Sequence, residues 1–240
     1  MQRCIKMLAC FMVLVFLFAC SASDGNAETV YLIENSEENT ICVAYPNLQL
    51  PESNAANNTI KDFVQKKISE ICLMADFNLT ESTVKLSETK ANYQNTYLNI
   101  DYRITYCTED LISIVFEGLY NYKKAAHPIH LLFSLNMDPA SGKQIAFTDR
   151  YVVDENLYEV FAAQAEMDIT EGAGGTWPKG WGAFSEIICS KSDFLTGLAS
   201  ETDFRVFYTP EGVKISYPVP YAMGNHLEVA LPYSVMTLMS

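Results

Sequence analysis

The chain has 240 residues, 49% of them hydrophobic, and 29 Asp and Glu against 16 Lys and Arg give it a formal charge of −13 at pH 7. That length and apolar content can bury one sizeable core, or two small lobes that share one. The acidic excess argues against nucleic-acid binding, which relies on Lys and Arg to neutralise phosphates; it would attract and steer a basic protein partner, or serve only solubility, the commoner role of surface acidity.

The N-terminus reads "MQRCIKMLACFMVLVFLFAC", with Arg3 and Lys6 ahead of an unbroken apolar run from Met7 to Ala19. A basic start, a run shorter than the roughly 20 apolar residues of a membrane span, and small residues at its end make residues 1–19 a signal peptide. The closing "LFAC" resembles the lipobox of bacterial lipoproteins, which would make Cys20 the lipidated first residue of the mature chain. Phe18 departs from the small or medium residue usual before the closing Ala-Cys, and cleavage after Gly25, Asn26 and Ala27 is the competing reading. An acyl anchor at Cys20 would hold the protein to a membrane at about 0.8 kcal/mol per buried CH₂. Loss of Arg3 and Lys6 takes the formal charge to −15. Once Cys4 and Cys10 leave with the signal, Cys42, Cys72, Cys107 and Cys189 remain beside Cys20. In an exported protein these four suggest up to two disulfides, with three connectivities open. None is spaced as CxxC, which disfavours zinc-ribbon and thioredoxin chemistry.

Residues 20–39 are small, polar and acidic, as a tether between anchor and domain would be. "TICVAYPNL" alternates as a strand stopped by Pro46, and "PESNAANN" reads as a loop. From Asn58 the period changes: Ile60, Phe63, Val64, Ile68, Ile71, Cys72 and Ala75 mark one face of a helix, with Thr59 and Asp62 resembling a capping box. "YLNIDYRITYC" sets Leu98, Ile100, Tyr102, Ile104 and Tyr106 against Asn99, Asp101, Arg103, Thr105 and Cys107, and "LISIVFEGLYNY" runs back from the turn "TED" as its hairpin partner. A second hairpin is expected from "HLLFSLNM" and "QIAFTDRY" around "DPASGK", where Asp138, Pro139 and Gly142 suit a turn with a bulge. Asp138, Ser141 and Asp149 lack the alternating carboxylates and closing Glu of a calcium loop. "DENLYEVFAAQAEMDI" is a helix capped by Asp154, with Leu157, Phe161 and Ala165 aligned.

Gly172 to Gly182 form a glycine-rich loop that carries Trp177 and Trp181, either as interface anchors or as plugs on the core. It lacks the Walker spacing of a phosphate loop. Three short strands close the chain. Strands and helices are segregated and the strand pairs are hairpins, so the fold class is α+β, an antiparallel sheet with helices packed on it.

No nucleophile stands beside a base in a recognisable motif, and no HExxH appears. Glu37-Glu38 and Glu109-Asp110 read as solvated surface. His127 and His130 flank Pro128 in extended chain, where residues three apart point to opposite faces, and His226 is remote, which is a weak case for zinc. No catalytic residue, metal or cofactor is expected.

"SIVFEGLYNYKKAAHP", "NMDPASGKQIAFTD" and "FYTPEGVKISYPVPYAMGNHLEVALPY" together resemble the paired DUF4163 and DUF3298 domains. The family's strand leading to Gly-Gly-Ala-His-Pro, its Asp-x-x-Thr-Gly-Lys turn and its closing Pro-Tyr-Ala-x-Gly and Ile-Pro-Tyr fall on these stretches. His127, Pro128, Gly142, Lys143, Gly212, Tyr221, Gly224, Pro232 and Tyr233 are the matching positions. Ala125 replaces part of the glycine pair, and the tryptophan loop is a further departure. The resemblance runs from Thr40 to Val235 and implies a DUF4163-like half over 40–122 and a DUF3298-like half over 123–240 in one compact unit.

Such domains form the extracellular, lysozyme-binding part of the RsiV anti-sigma factor and stand beside the catalytic domain of the peptidoglycan deacetylase PdaC. About six residues precede the apolar run, so no sigma-binding segment is expected, and no deacetylase domain either. The resemblance therefore implies an exported, lipid-anchored envelope protein that binds a lysozyme or another basic wall enzyme. A peptidoglycan-binding or structural module is the alternative, ahead of a metal-dependent hydrolase.

Overall fold

The structure, a computed structural model, describes residues 27–51, 53–71, 78–86, 96–122, 127–171, 190–201, 204–219 and 225–239. Six strands build the larger sheet: β1 (Ala27–Asn35), β2 (Asn39–Leu48), β3 (Thr80–Ser82), β4 (Thr96–Cys107), β5 (Ile112–Asn121) and β6 (Ile129–Met137). Their order is β3-β1-β2-β4-β5-β6. Every pairing is antiparallel except β2 with β4, where the chain crosses over through helix α1 (Asn54–Ile71) and re-enters in the same direction. The α+β class expected from the segregated strands and helices is what the chain adopts.

One face of this sheet packs on α1. Ala56, Ile60, Val64 and Ile68 recur every four residues and are all buried, so a single stripe of the helix meets the sheet. The sheet answers with cross-strand pairs on β5 and β6: Ile112 with Met137, Ile114 with Leu135, and Phe116 with Phe133. The Phe116 and Phe133 rings stack at 5.1 Å, and Phe63 of α1 lies 5.9 Å from each.

The second sheet is a meander of β7 (Arg205–Tyr208), β8 (Gly212–Pro218) and β9 (His226–Pro232). Its core is closed by α2 (Glu155–Glu171) and α3 (Lys191–Ser200). Leu157, Phe161 and Ala165 of α2 and Phe194 and Leu198 of α3 join Val206, Tyr208, Val213, Ile215 and Val229. Phe194 sits 4.6 Å from Phe161 and 5.2 Å from Phe204, ring centre to ring centre. Asp154 caps α2 as its sequence implies, accepting the Leu157 N–H at 3.0 Å.

A buried polar network joins the sheets. Ser113 Oγ donates to Asn136 Oδ1 at 2.7 Å, Asn136 Nδ2 donates to the Val206 carbonyl at 2.8 Å, and the Tyr208 N–H donates to Ser113 Oγ at 3.0 Å. Ser113 and Asn136 point away from the α1 side, so β7 crosses the opposite face of the larger sheet.

Several sequence expectations are corrected. The acidic segment 20–39 is not a tether throughout: Ala27–Asn35 is β1, paired along its whole length with β2. Pro46 does not stop β2. The ladder to β4 ends at Val43, so past that point the strand needs no donor on that side. Helix α1 begins at Asn54, inside the expected loop, because Ser53 and Asn57 tie its first turn to β2. The Leu48 carbonyl accepts from Ser53 Oγ at 2.9 Å, and the Leu48 N–H donates to Asn57 Oδ1 at 2.7 Å. Thr59 caps nothing and instead donates to the Gly142 carbonyl at 2.9 Å.

An irregularity between Ile104 and Tyr106 shifts the register of β4, so Tyr106 faces Tyr208 rather than sharing the side of Ile104. The second hairpin is only a stub: Met137 bridges Gln144, and the chain then turns into a 3₁₀ segment at Phe147–Asp149.

The disulfide expectation fails where it can be followed. Cys42 is a free, buried thiol whose pKa is raised by burial. It lies opposite Asn99, eight residues up β4 from Cys107, or roughly 26 Å at about 3.3 Å per residue, far beyond disulfide reach. Cys72 and Cys189 lie outside the described residues.

Candidate functional site

The family-like motif residues shape turns. The Gly142 N–H donates to the Asp138 carbonyl, and the Asp138 N–H donates to the Lys143 carbonyl, both at 2.9 Å. Gly142 has φ +68°, and a Cβ there would stand 2.6 Å from the Ala55 carbonyl oxygen, so the turn is pressed against the first turn of α1. Lys143 is exposed. The Asp138 carboxylate accepts the N–H groups of Ser141 and Ala140, which hold it below the usual carboxylate range and commit it to the turn rather than to a cation. A Cβ on Gly212 would fall 2.1 Å from the Leu231 carbonyl oxygen, where β8 and β9 close up. Pro232 ends β9, and Tyr233 Oη donates to the Thr209 carbonyl at 2.8 Å, fastening the β7–β8 turn.

His127 is exposed just before β6, with Pro128 half-buried beside it. His226, at the start of β9, is half-buried, and desolvation lowers its pKa against the fields of Glu228 and Glu117, with His130 adding to the lowering. The fold therefore brings His226 toward His130, two histidines that the sequence scatters. Among the described residues no group of three His, Cys, Asp or Glu could hold a metal ion. Cys20, Trp177, Trp181, Tyr221 and Gly224 lie outside the described residues.

A concavity gathers part of the family-like stretch 136–149 with residues no motif singled out. It is a cleft of about 370 Å³ alongside β6. Phe63 and Lys67 of α1 form one wall, the chain from Gln144 to Asp149 closes one end, and Glu201, Phe204 and Arg205 form the other wall. Consecutive residues Phe133, Ser134, Leu135 and Asn136 line it, although their side chains alternate between the two faces of the sheet. The cleft therefore wraps the rim of the sheet rather than sitting on either face.

Its charges are unevenly matched. Lys67 Nζ is ion-paired with Glu70 at 2.6 Å. The Arg205 guanidinium donates to the carbonyls of Glu201 (3.2 Å) and Phe204 (2.9 Å). Asp149 accepts the Ala146 N–H at 2.9 Å, and Glu201 accepts the Phe147 N–H at 2.5 Å. Among the described residues, neither carboxylate has a Lys or Arg within ion-pair distance. Glu201 follows α3 in the left-handed conformation (φ 50°), and burial pushes its carboxyl above the ordinary value in spite of the Phe147 hydrogen bond. The cations of the cleft are engaged elsewhere; among the described residues its carboxylates make no ion pair, and Arg205 acts on Glu201 only at longer range.

No family model matches the chain, and no curated protein does. Among solved structures it is similar to a member of the DUF3298 family from Bacteroides fragilis, with 14% identity and a TM-score of 0.49 over 89% of this chain and 94% of that one. It is also similar to a DUF3298 family protein from Pseudomonas aeruginosa, with 12% identity and a TM-score of 0.49 over 90% of this chain and 96% of that one.

Proposed function

We propose that the chain is an exported, lipid-anchored cell-envelope protein of the DUF4163/DUF3298 type, whose body binds a basic protein such as a lysozyme or a similar wall enzyme. The signal-like N-terminus and Cys20 support the location. The observation that carries the binding role is the pair of unmatched carboxylates, Asp149 and Glu201, in the cleft of a chain with 13 more negative than positive charges. Glu201 is partly desolvated and Asp149 stands exposed beside it, so a cation brought by a partner gains most at Glu201, and the surrounding acidity steers a basic protein toward both.

A column of immobilised lysozyme tests this directly. The mature protein is expected to be retained at low ionic strength and released as salt rises toward 1 M, where the screening length is about 3 Å. Failure to bind at low ionic strength would sink the proposal. Co-sedimentation with isolated peptidoglycan in place of retention would point instead to a wall-binding module.

A further inference from the structure

The cleft lies at one end of a strand edge that the described residues leave open. Among the described residues β6 is the last strand of its sheet, paired with β5 along its length and otherwise only through the single Met137–Gln144 bridge. The register runs without a shift from Tyr120 opposite Ile129 to Ile112 opposite Met137, so backbone groups point alternately to β5 and away from it. The Asn136 carbonyl, which accepts the Ile145 N–H at 2.9 Å, fixes which residues point outward. By alternation the outward set continues through Ser134, Leu132 and His130. For these three, no described backbone group completes the ladder.

Protein edges are ordinarily guarded by charge, proline or brevity. Here "IHLLFSLNM" is nine residues long, with no Lys, Arg, Asp, Glu or Pro. Beside Ser134 the open edge runs into the cleft between Phe63 and Phe204, with the unmatched Asp149 and Glu201 on its walls.

We propose that the outer edge of β6 is a docking site for an extended peptide segment of a protein partner. The segment adds a strand through the N–H and C=O groups of His130, Leu132 and Ser134, and places an apolar side chain and a basic one in the cleft. Main-chain hydrogen bonds supply affinity in such an arrangement and the side-chain pocket supplies selectivity. The basic residue follows from charge: both cations of the cleft are already engaged, whereas among the described residues Asp149 and Glu201 make no ion pair. The inference deepens the binding role proposed above, and its identification of a basic segment rests on that role.

Leu132→Pro removes one outward N–H without touching the ladder to β5, and Asp149→Asn with Glu201→Gln removes the charges while keeping acceptors for the Ala146 and Phe147 N–H groups. Two probes are used on the mature protein: lysozyme, and a synthetic extended peptide that alternates Val or Phe with Lys. Hydrogen exchange at the His130, Leu132 and Ser134 amides is expected to slow at least tenfold with either bound. Leu132→Pro is expected to lose at least tenfold in affinity with its melting transition retained, and the double charge variant to bind more weakly with a measurably shallower salt dependence. If lysozyme binds the Leu132→Pro protein as well as the parent, and the three amides stay unprotected with both probes, the edge proposal is overturned while the binding role stands. If lysozyme is not bound but the peptide protects the amides, the edge stands and the lysozyme reading falls. Self-association that Leu132→Pro abolishes would assign the edge to a second copy of the chain and overturn the peptide proposal.

Discussion

At Gly142 a turn, a helix start and a long-range hydrogen bond meet. Its φ of +68° is costly for any residue with a Cβ, and that Cβ would press on the backbone of Ala55 and Ala56. Gly142→Ala is expected to lower stability by about 2 kcal/mol or more, seen as a lower urea midpoint with an unchanged slope. Glu201 makes the opposite prediction. Burial raises its carboxyl pKa above the ordinary value of 4.5, so the folded protein holds this proton more tightly than the unfolded chain does. Ionised Glu201 therefore costs stability as pH rises through its folded pKa, and the cost is absent below the unfolded value. Glu201→Gln should raise the melting temperature by about 2 °C at pH 7, with the gain disappearing below about pH 4 in a pH series of thermal melts.

Among the elements, those written in local spacing were legible. Helix α2 was readable because Asp154 and the run Leu157, Phe161, Ala165 lie within three turns of each other. The β4–β5 hairpin was readable because its alternation is nearly complete. β1 was hidden by its acidic and polar surroundings: only Leu32 is fully buried, and the strand exists because β2 offers it nine partners. Helix α3 went unnoticed behind the glycine and tryptophan loop, although Ser190 and Asp193 form a cap that a search for S-x-x-D would have found. The cleft could not be read from sequence at all, because its bond from Phe147 to Glu201 spans 54 residues. The same holds for the link between the sheets. Asn136→Ala would leave the Val206 carbonyl and the Ser113 hydroxyl short of buried partners. A loss of about 2–3 kcal/mol is expected by urea unfolding, with secondary structure retained in circular dichroism.

For the whole molecule, the boundary placed between residues 122 and 123 falls inside a shared sheet. β6 belongs to the later half in sequence but supplies the last strand of the sheet begun by the earlier one, and Asn136 on it holds β7. The charge also belongs to the molecule rather than to one residue. The lysozyme-column experiment reads the summed field of the carboxylates, which is why the two cleft substitutions should reduce its salt dependence without removing it entirely.

The strand at Ala27–Asn35 also sets a stand-off distance. If Cys20 carries the lipid, only Ser21 to Asn26 separate the acyl chains from the first paired residue, opposite Leu48. Six residues reach at most about 20 Å when fully extended. The body would then ride close against the bilayer with little freedom to turn over. A bulky partner would have to arrive from the side or from above, since a gap of that height is narrower than a small globular protein.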